Sequence, residues 1–300
     1  MSNATWDKNE IKKLARESGR PLEVQCAEAF LGEQWQVRLG TFYTDVASEK
    51  IRELDFLAER NFPFKVGNLN QDVIDWNFRL RVLGSCKGFR PEQSPTTYSV
   101  FSNSQTVETP SFICYECGIH GRTVADAMRQ RSASNFLFRA GLLDTQQVVG
   151  FDILQREETL PKKGKNEPPK IEYSRVGDRD LHEGLDSAVK AAIFWYREDR
   201  RQQRMRIGGS NCGYLALNIP LLISSLPFWD VSIDNRAETD PELKSSGFHV
   251  GLYPFGDEER PPEPIMTILW EAEKLGELAR CFHQFINYCV DEVQDAVKKV

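Results

Sequence analysis

Arg52-Glu53-Leu54-Asp55-Phe56-Leu57-Ala58 and Phe78-Arg79-Leu80-Arg81-Val82-Leu83-Gly84-Ser85-Cys86-Lys87 are two apolar ribbons interrupted by charge. Both read as β-strands. Isolated charges are rarely buried unless they are paired or hold a metal. Side chains two apart on a strand share a face. Glu53 and Asp55 therefore point one way and Leu54 and Phe56 the other. Ser85 and Lys87 share a face, with Cys86 opposite. If the two strands pair with these faces aligned, Asp55, Ser85 and Lys87 converge.

Working outward, Pro21 opens a helix, since proline suits a first helical turn. Glu23 and Glu28 lie on it and Gly32 marks its end. Trp35 to Tyr43 alternates as a first strand, Ile51 to Glu59 is the second and Ile74 to Cys86 the third, with a loop expected over Asn61 to Gln71. Thr123 to Phe138 has helical spacing and Val148 to Leu154 reads as a strand. Leu181 to Gln203 is a helix with an apolar stripe of Leu185, Ala188, Val189, Ala192, Ile193 and Tyr196. Tyr214 to Leu226 is near-continuously apolar, as a buried strand is. Val231 to Ile233 and Gly251 to Tyr253 suggest short edge strands. The tail begins as a strand at Ile265 and continues as an amphipathic helix through Leu275, Phe282, Phe285, Ile286 and Val293. The order of helix, three strands, excursion, helix and strand implies an α/β fold with a mixed central sheet flanked by helices.

The chain has 300 residues, 40% apolar and 27% charged, as expected of a soluble globular protein. A net charge of −6 offers nucleic acid no global attraction, so any such binding needs a local basic face. The first twenty residues carry Lys8, Lys12, Lys13 and Arg16 but no apolar core of a signal peptide. The apolar run from Tyr214 to Trp229 is too short and too interrupted to span a membrane. Seven cysteines in such a chain read as free thiols. These features lead us to expect a cytoplasmic protein without a membrane partner.

The charged strand pair resembles the PD-(D/E)xK nucleases, the restriction endonuclease-like superfamily. In that pattern an Asp on the second core strand precedes an acid-x-Lys tripeptide on the third. Arg52-Glu53-Leu54-Asp55 fits the first part, and Ser85-Cys86-Lys87 stands at the tripeptide. Gly40-Thr41-Phe42-Tyr43-Thr44-Asp45 and Lys50 to Ala58 look like the hairpin that leads into the acidic strand. The helix bearing Glu28 matches the first core helix, which in many members supplies another acid. The resemblance covers 21–90 and 181–226 and implies a single nuclease-like domain over 1–300. Residues 91–180 would then be an insertion, and 227–300 a C-terminal extension with a long amphipathic helix.

The resemblance implies metal-dependent cleavage of DNA, in restriction or defence, with Mg²⁺ or Mn²⁺ as cofactor. Asp55, the Cys86 carbonyl and Glu28 would hold the metal, with Glu53 as the other candidate acid. Lys87 would steady the attacking water or the phosphate. Many such enzymes cut as dimers, so a homodimer is one expected assembly. Ser85 departs from the pattern, because it offers a neutral hydroxyl where the family has an acid. Two other readings stay open: a nuclease-like fold that binds nucleic acid or protein without cutting, and an unrelated protein whose strand charges are merely solvated.

Cys114, Cys117 and His120 have metal-like spacing, but a structural zinc needs four ligands and no second cluster is near in sequence. Zinc is not expected. Arg197, Arg200, Arg201 and Arg204 end the 181–203 helix. They complement its dipole or, with Lys162, Lys163 and Lys165, contact DNA phosphates.

Overall fold

Strand alternation and helical stripes build a three-layer arrangement in the computed structural model. It describes residues 7, 12, 20–67, 73–87, 96–103, 111–118, 121–142, 147–159, 168, 170–176, 179–204, 212–226, 228–234, 237–238, 240, 242–253 and 262–298. Lys162, Lys163, Lys165 and His120 lie outside them. Helix α1 (Arg20–Gly32) leads into β1 (Gln36–Thr44), β2 (Ile51–Gly67) and β3 (Val73–Lys87). There follow β4 (Thr96–Asn103), β5 (Ile113–Gly118), α2 (Gly121–Arg139), β6 (Gln147–Thr159) and β7 (Lys170–Val176). The chain continues with α3 (Arg179–Arg204), β8 (Cys212–Ser224), β9 (Phe228–Asp234), β10 (Ala237–Glu238) and β11 (Glu242–Lys244). It closes with β12 (Ser246–Tyr253), β13 (Glu263–Glu271) and α4 (Leu275–Lys298).

The strands form one mixed sheet in the order β1-β2-β3-β8-β13-β12-β6-β4-β9-β10. β1, β2 and β3 are an antiparallel meander, and β3 then pairs in parallel with β8 from Asp75↔Cys212 to Lys87↔Ser224. A parallel partner requires a crossover, and the crossover closing on β8 contains α3. Fold class is thus as expected: mixed α/β, with helices on the sheet's faces.

Even-numbered side chains of β3, Phe78, Leu80 and Val82, enter the larger core with Cys26 and Phe30 of α1, Met128 and Phe136 of α2, and Phe282 and Phe285 of α4. The odd-numbered Leu83 packs with Leu57 of β2 against Val189 and Ala192 of α3. Gly84 lies on the α1 side, where a Cβ would fall 1.8 Å from the Phe56 ring. The ring takes the space that a side chain would need.

Some boundaries and placements differ from expectation. β2 runs on to Gly67 through Phe62, Phe64 and Val66, although Asn, Gly and Pro suggested a loop from Asn61. β1 pairs only as far as Glu59, so Pro63 falls where β2 is an edge, and there a missing N–H is tolerated. The segment 251–253 is the end of β12, which pairs with β13 along its length and with β6 at Phe248 and His249, so among the described residues 251–253 itself has β13 as its ladder partner. β13 itself pairs with β8, so β12 and β13 supply the middle of the sheet, while β9 and β10 stand at its far end.

Candidate active site

The β2–β3 ladder reaches Phe56↔Gly84, and beyond it Asp55 emerges beside Ser85. Asp55 Oδ2 accepts hydrogen bonds from Ser85 Oγ at 3.1 Å and from the Cys86 N–H at 2.6 Å. No described residue donates to Oδ1. Lys87 extends beneath the first turns of α3, which comes close because residue 184 is glycine. A Cβ there would lie 2.7 Å from Lys87 Cε and 3.3 Å from Ser85 Oγ. Among the described residues no carboxylate pairs with the Lys87 ammonium.

These groups open into one cleft of about 560 Å³, lined by Arg52, Glu53, Asp55, Ser85 and Lys87 from the strands and by Glu183, Asp186, Ser187 and Lys190 from α3. The strand-face reasoning therefore places Asp55, Ser85, Lys87 and Glu53 together. It did not anticipate the α3 residues. Their spacing of three, four and seven puts them on one helical stripe, a signal present in the sequence but read only for its apolar side. Lys190 Nζ lies 2.7 Å from Asp186 and 3.7 Å from Asp45. Burial would raise the Asp45 carboxyl. Ser48, the Ala47 N–H, Arg52 and Lys190 outweigh that and lower it to about 2.

Glu28 is not at this site. It lies on the exposed side of α1, whereas Glu23 faces the sheet with Cys26, Ala27 and Phe30. Residues 23, 26, 27 and 30 form one helical stripe, and Glu28 stands about 140° around the helix from Glu23. The α1 acid beside the strands is thus Glu23. Burial raises its carboxyl; Arg20 pulls it down, while Asp55 and Glu53 push it further up. Cys86 meets Asp55 through its N–H. Its thiol points to the other face, 3.6 Å from Cys26 Sγ.

The arginine run is also elsewhere. A rise of 1.5 Å per residue puts Arg197 about 20 Å along α3 from Glu183. Arg201 turns to Glu198 at 3.0 Å. Arg200 and Arg204 likewise fall in the last two turns, away from the cleft lining. Cys114 and Cys117 sit three apart on β5, hence on opposite faces; Cys114 belongs to the α2 side and Cys117 packs near Tyr115 and Tyr214.

The side-chain donors of the cleft are oxygens and amines, without imidazole or thiol, and its carboxylates outnumber its cations by one. Carboxylate and hydroxyl oxygens suit a hard cation such as Mg²⁺ or Mn²⁺. Among the described residues no three His, Cys, Asp or Glu side chains are grouped to hold a metal. No helix among the described residues is long and apolar enough to cross a membrane. No protein-family model, curated protein or solved structure matches the chain.

Proposed function

We propose that this protein is a metal-dependent endonuclease of the PD-(D/E)xK kind, hydrolysing phosphodiester bonds of DNA in the cleft at the ends of β2 and β3. One observation carries the reading: Asp55, whose Oδ1 accepts from no described residue, and Lys87, with no ion pair among the described residues, face the same cleft. The order α1, β1–β3, α3, β8 and the parallel pairing of β3 with β8 support a restriction endonuclease-like core. A cleft with excess negative charge repels a phosphate by itself, which favours a cation-bridged substrate.

Asp55 would hold the ion through Oδ1. When bound, the ion lowers the pKa of a water and offsets phosphate charge. The Cys86 N–H and Ser85 Oγ fix the Asp55 carboxylate by occupying Oδ2, which removes its rotational freedom. Lys87 donates toward the attacking water or a phosphate oxygen and stabilises charge as it builds. Gly184 admits the Lys87 chain beneath α3, and Leu83 and Leu57 fill the sheet behind it.

Plasmid DNA incubated with Mg²⁺ or Mn²⁺ tests this. The wild type should nick or linearise it, Asp55→Ala should not, and Lys87→Ala should be slower by about 10²–10³-fold. Equal cutting by all three, or none by the wild type with either metal, overturns the assignment.

A second reading rests on Ser85, whose hydroxyl donates to Asp55 where the resemblance calls for a second carboxylate. It makes the chain a nuclease-like module that binds nucleic acid or protein without cutting. An inactive wild type together with a Ser85→Glu variant that gains cleavage would favour it.

A further inference from the structure

Arg20, the first residue of α1, reaches two carboxylates on different elements. Nη1 lies 2.6 Å from Glu23 Oε2 on the same helix, and Nη2 lies 3.1 Å from Glu53 Oε1 on β2. The floor under this contact is Gly40 of β1, with φ of +58°. A Cβ on Gly40 would approach the same Glu53 oxygen to 3.0 Å and Arg20 Nη1 to 3.7 Å. The left-handed backbone and the crowding both select glycine. A guanidinium from α1 and a bare backbone from β1 thus converge on one carboxylate of β2.

That carboxylate is two residues from Asp55 and lines the same cleft. Residues i and i+2 share a strand face, and three side-chain torsions give Glu53 reach toward Asp55. Glu53 is the strand carboxylate nearest in sequence to a cation held by Asp55, and the Arg20 ion pair engages one of its oxygens at the edge of that cleft. The side chains of the pair are 55% and 42% exposed. Ion pairs that open to water are weak and readily exchanged.

We propose that Arg20 is a positioning residue that docks Glu53 against α1 and thereby sets the divalent-cation affinity of the Asp55 cleft. This rests on the metal-dependent reading above. With Glu53 docked, its charge is engaged by Arg20 and the strands offer Asp55 to the ion, across the cleft from Glu183 and Asp186 of α3; with Glu53 released, one more carboxylate can turn to the ion, and affinity for such cations rises with the number of charged ligands.

Calorimetric titration of the full chain with Mn²⁺ alone separates the possibilities. Arg20→Met should bind Mn²⁺ about fivefold or more tightly than wild type. An unchanged melting temperature checks the fold. Loss of a positive charge could by itself favour Mn²⁺, so the same change is made without the carboxylate. Arg20→Met/Glu53→Gln should match Glu53→Gln within about twofold. Equal or weaker binding by Arg20→Met overturns the proposal, as does the same gain in the Glu53→Gln background. Asp55→Ala distinguishes the two levels of the argument. If it binds Mn²⁺ like the wild type, or if neither wild type nor Arg20→Met binds, the metal-dependent reading fails; if Asp55 is needed but Arg20 is neutral, only the docking idea fails.

Discussion

At its middle, the face of β3 beneath α3 carries Arg81; at its end, the same face carries Ser85 and Lys87. Arg81 is 2% exposed and fully engaged. Its Nη1 and Nη2 meet the Asp199 oxygens of α3 at 2.5 and 3.1 Å, and its Nε meets Glu59 of β2 at 2.6 Å. Tyr214 of β8 donates to Asp199 at 3.0 Å, and the guanidinium stacks over Trp195. Burial works against the Arg81 charge, yet Asp199 and Glu59 raise its pKa. Sixteen residues nearer its N-terminus, at Glu183, the same helix edges an open cleft in which, among the described residues, Lys87 lacks an ion pair and Asp55 Oδ1 lacks a donor. One layer of the molecule therefore contains a charge cluster that closes on itself and another that does not. Completed pairing holds elements together, and incomplete pairing leaves groups for a ligand.

The largest effect should come from breaking the closed cluster. Asp199→Ala leaves the buried Arg81 with Glu59 as its one remaining carboxylate partner among the described residues and should cost about 3 kcal/mol in urea unfolding. A cost under about 1 kcal/mol would erase the contrast, since such values are typical of surface pairs.

Asp45 lies at the cleft edge, buried yet paired with Arg52 and Lys190. Its carboxyl falls from 3.8 to about 2 on folding. The folded state binds the proton less tightly, so this stabilisation is present above pH 4 and is lost as pH falls toward 2. The difference amounts to roughly 2 kcal/mol. Urea midpoints followed from pH 6 to pH 2 should drop for the wild type, and Asp45→Asn should flatten that part of the drop. Identical profiles would remove Asp45 from the account.

The smallest effect sharpens the open end. Gly184→Ala places a methyl against Lys87 Cε and Leu222 Cδ1, at 2.7 and 2.8 Å before relaxation. Alanine favours the helix by up to about 1 kcal/mol, so thermal stability should hold. Cleavage should fall about tenfold as the ammonium is displaced. An unchanged rate would mean that the position of Lys87 does not matter.

Much of this was legible in the residues. Alternation along 78–87 told which face Ser85, Cys86 and Lys87 take, and the structure keeps that arrangement. Helical stripes located α2, α3 and α4 to within a few residues. The α1 acid was misplaced for want of the same stripe test: Glu23 falls in register with Cys26, Ala27 and Phe30, whereas Glu28 does not. Arg81 was passed over because its partner Asp199 lies 118 residues away. β12 and β13 looked peripheral because strand length carries no information about neighbours. Their places between β8 and β6 come from pairings across the whole chain.

Period and turn chemistry, which are local, determined from sequence alone where the helices run and to which side of its strand each charge points. Only the tertiary structure decided which charges find partners. α3 crosses β3 so that Asp199 covers Arg81 while Gly184 lets Lys87 through, and Arg20 of α1 meets Glu53 of β2. Contacts between segments far apart in the chain depend on packing angles and close approach, which no run of neighbouring residues encodes.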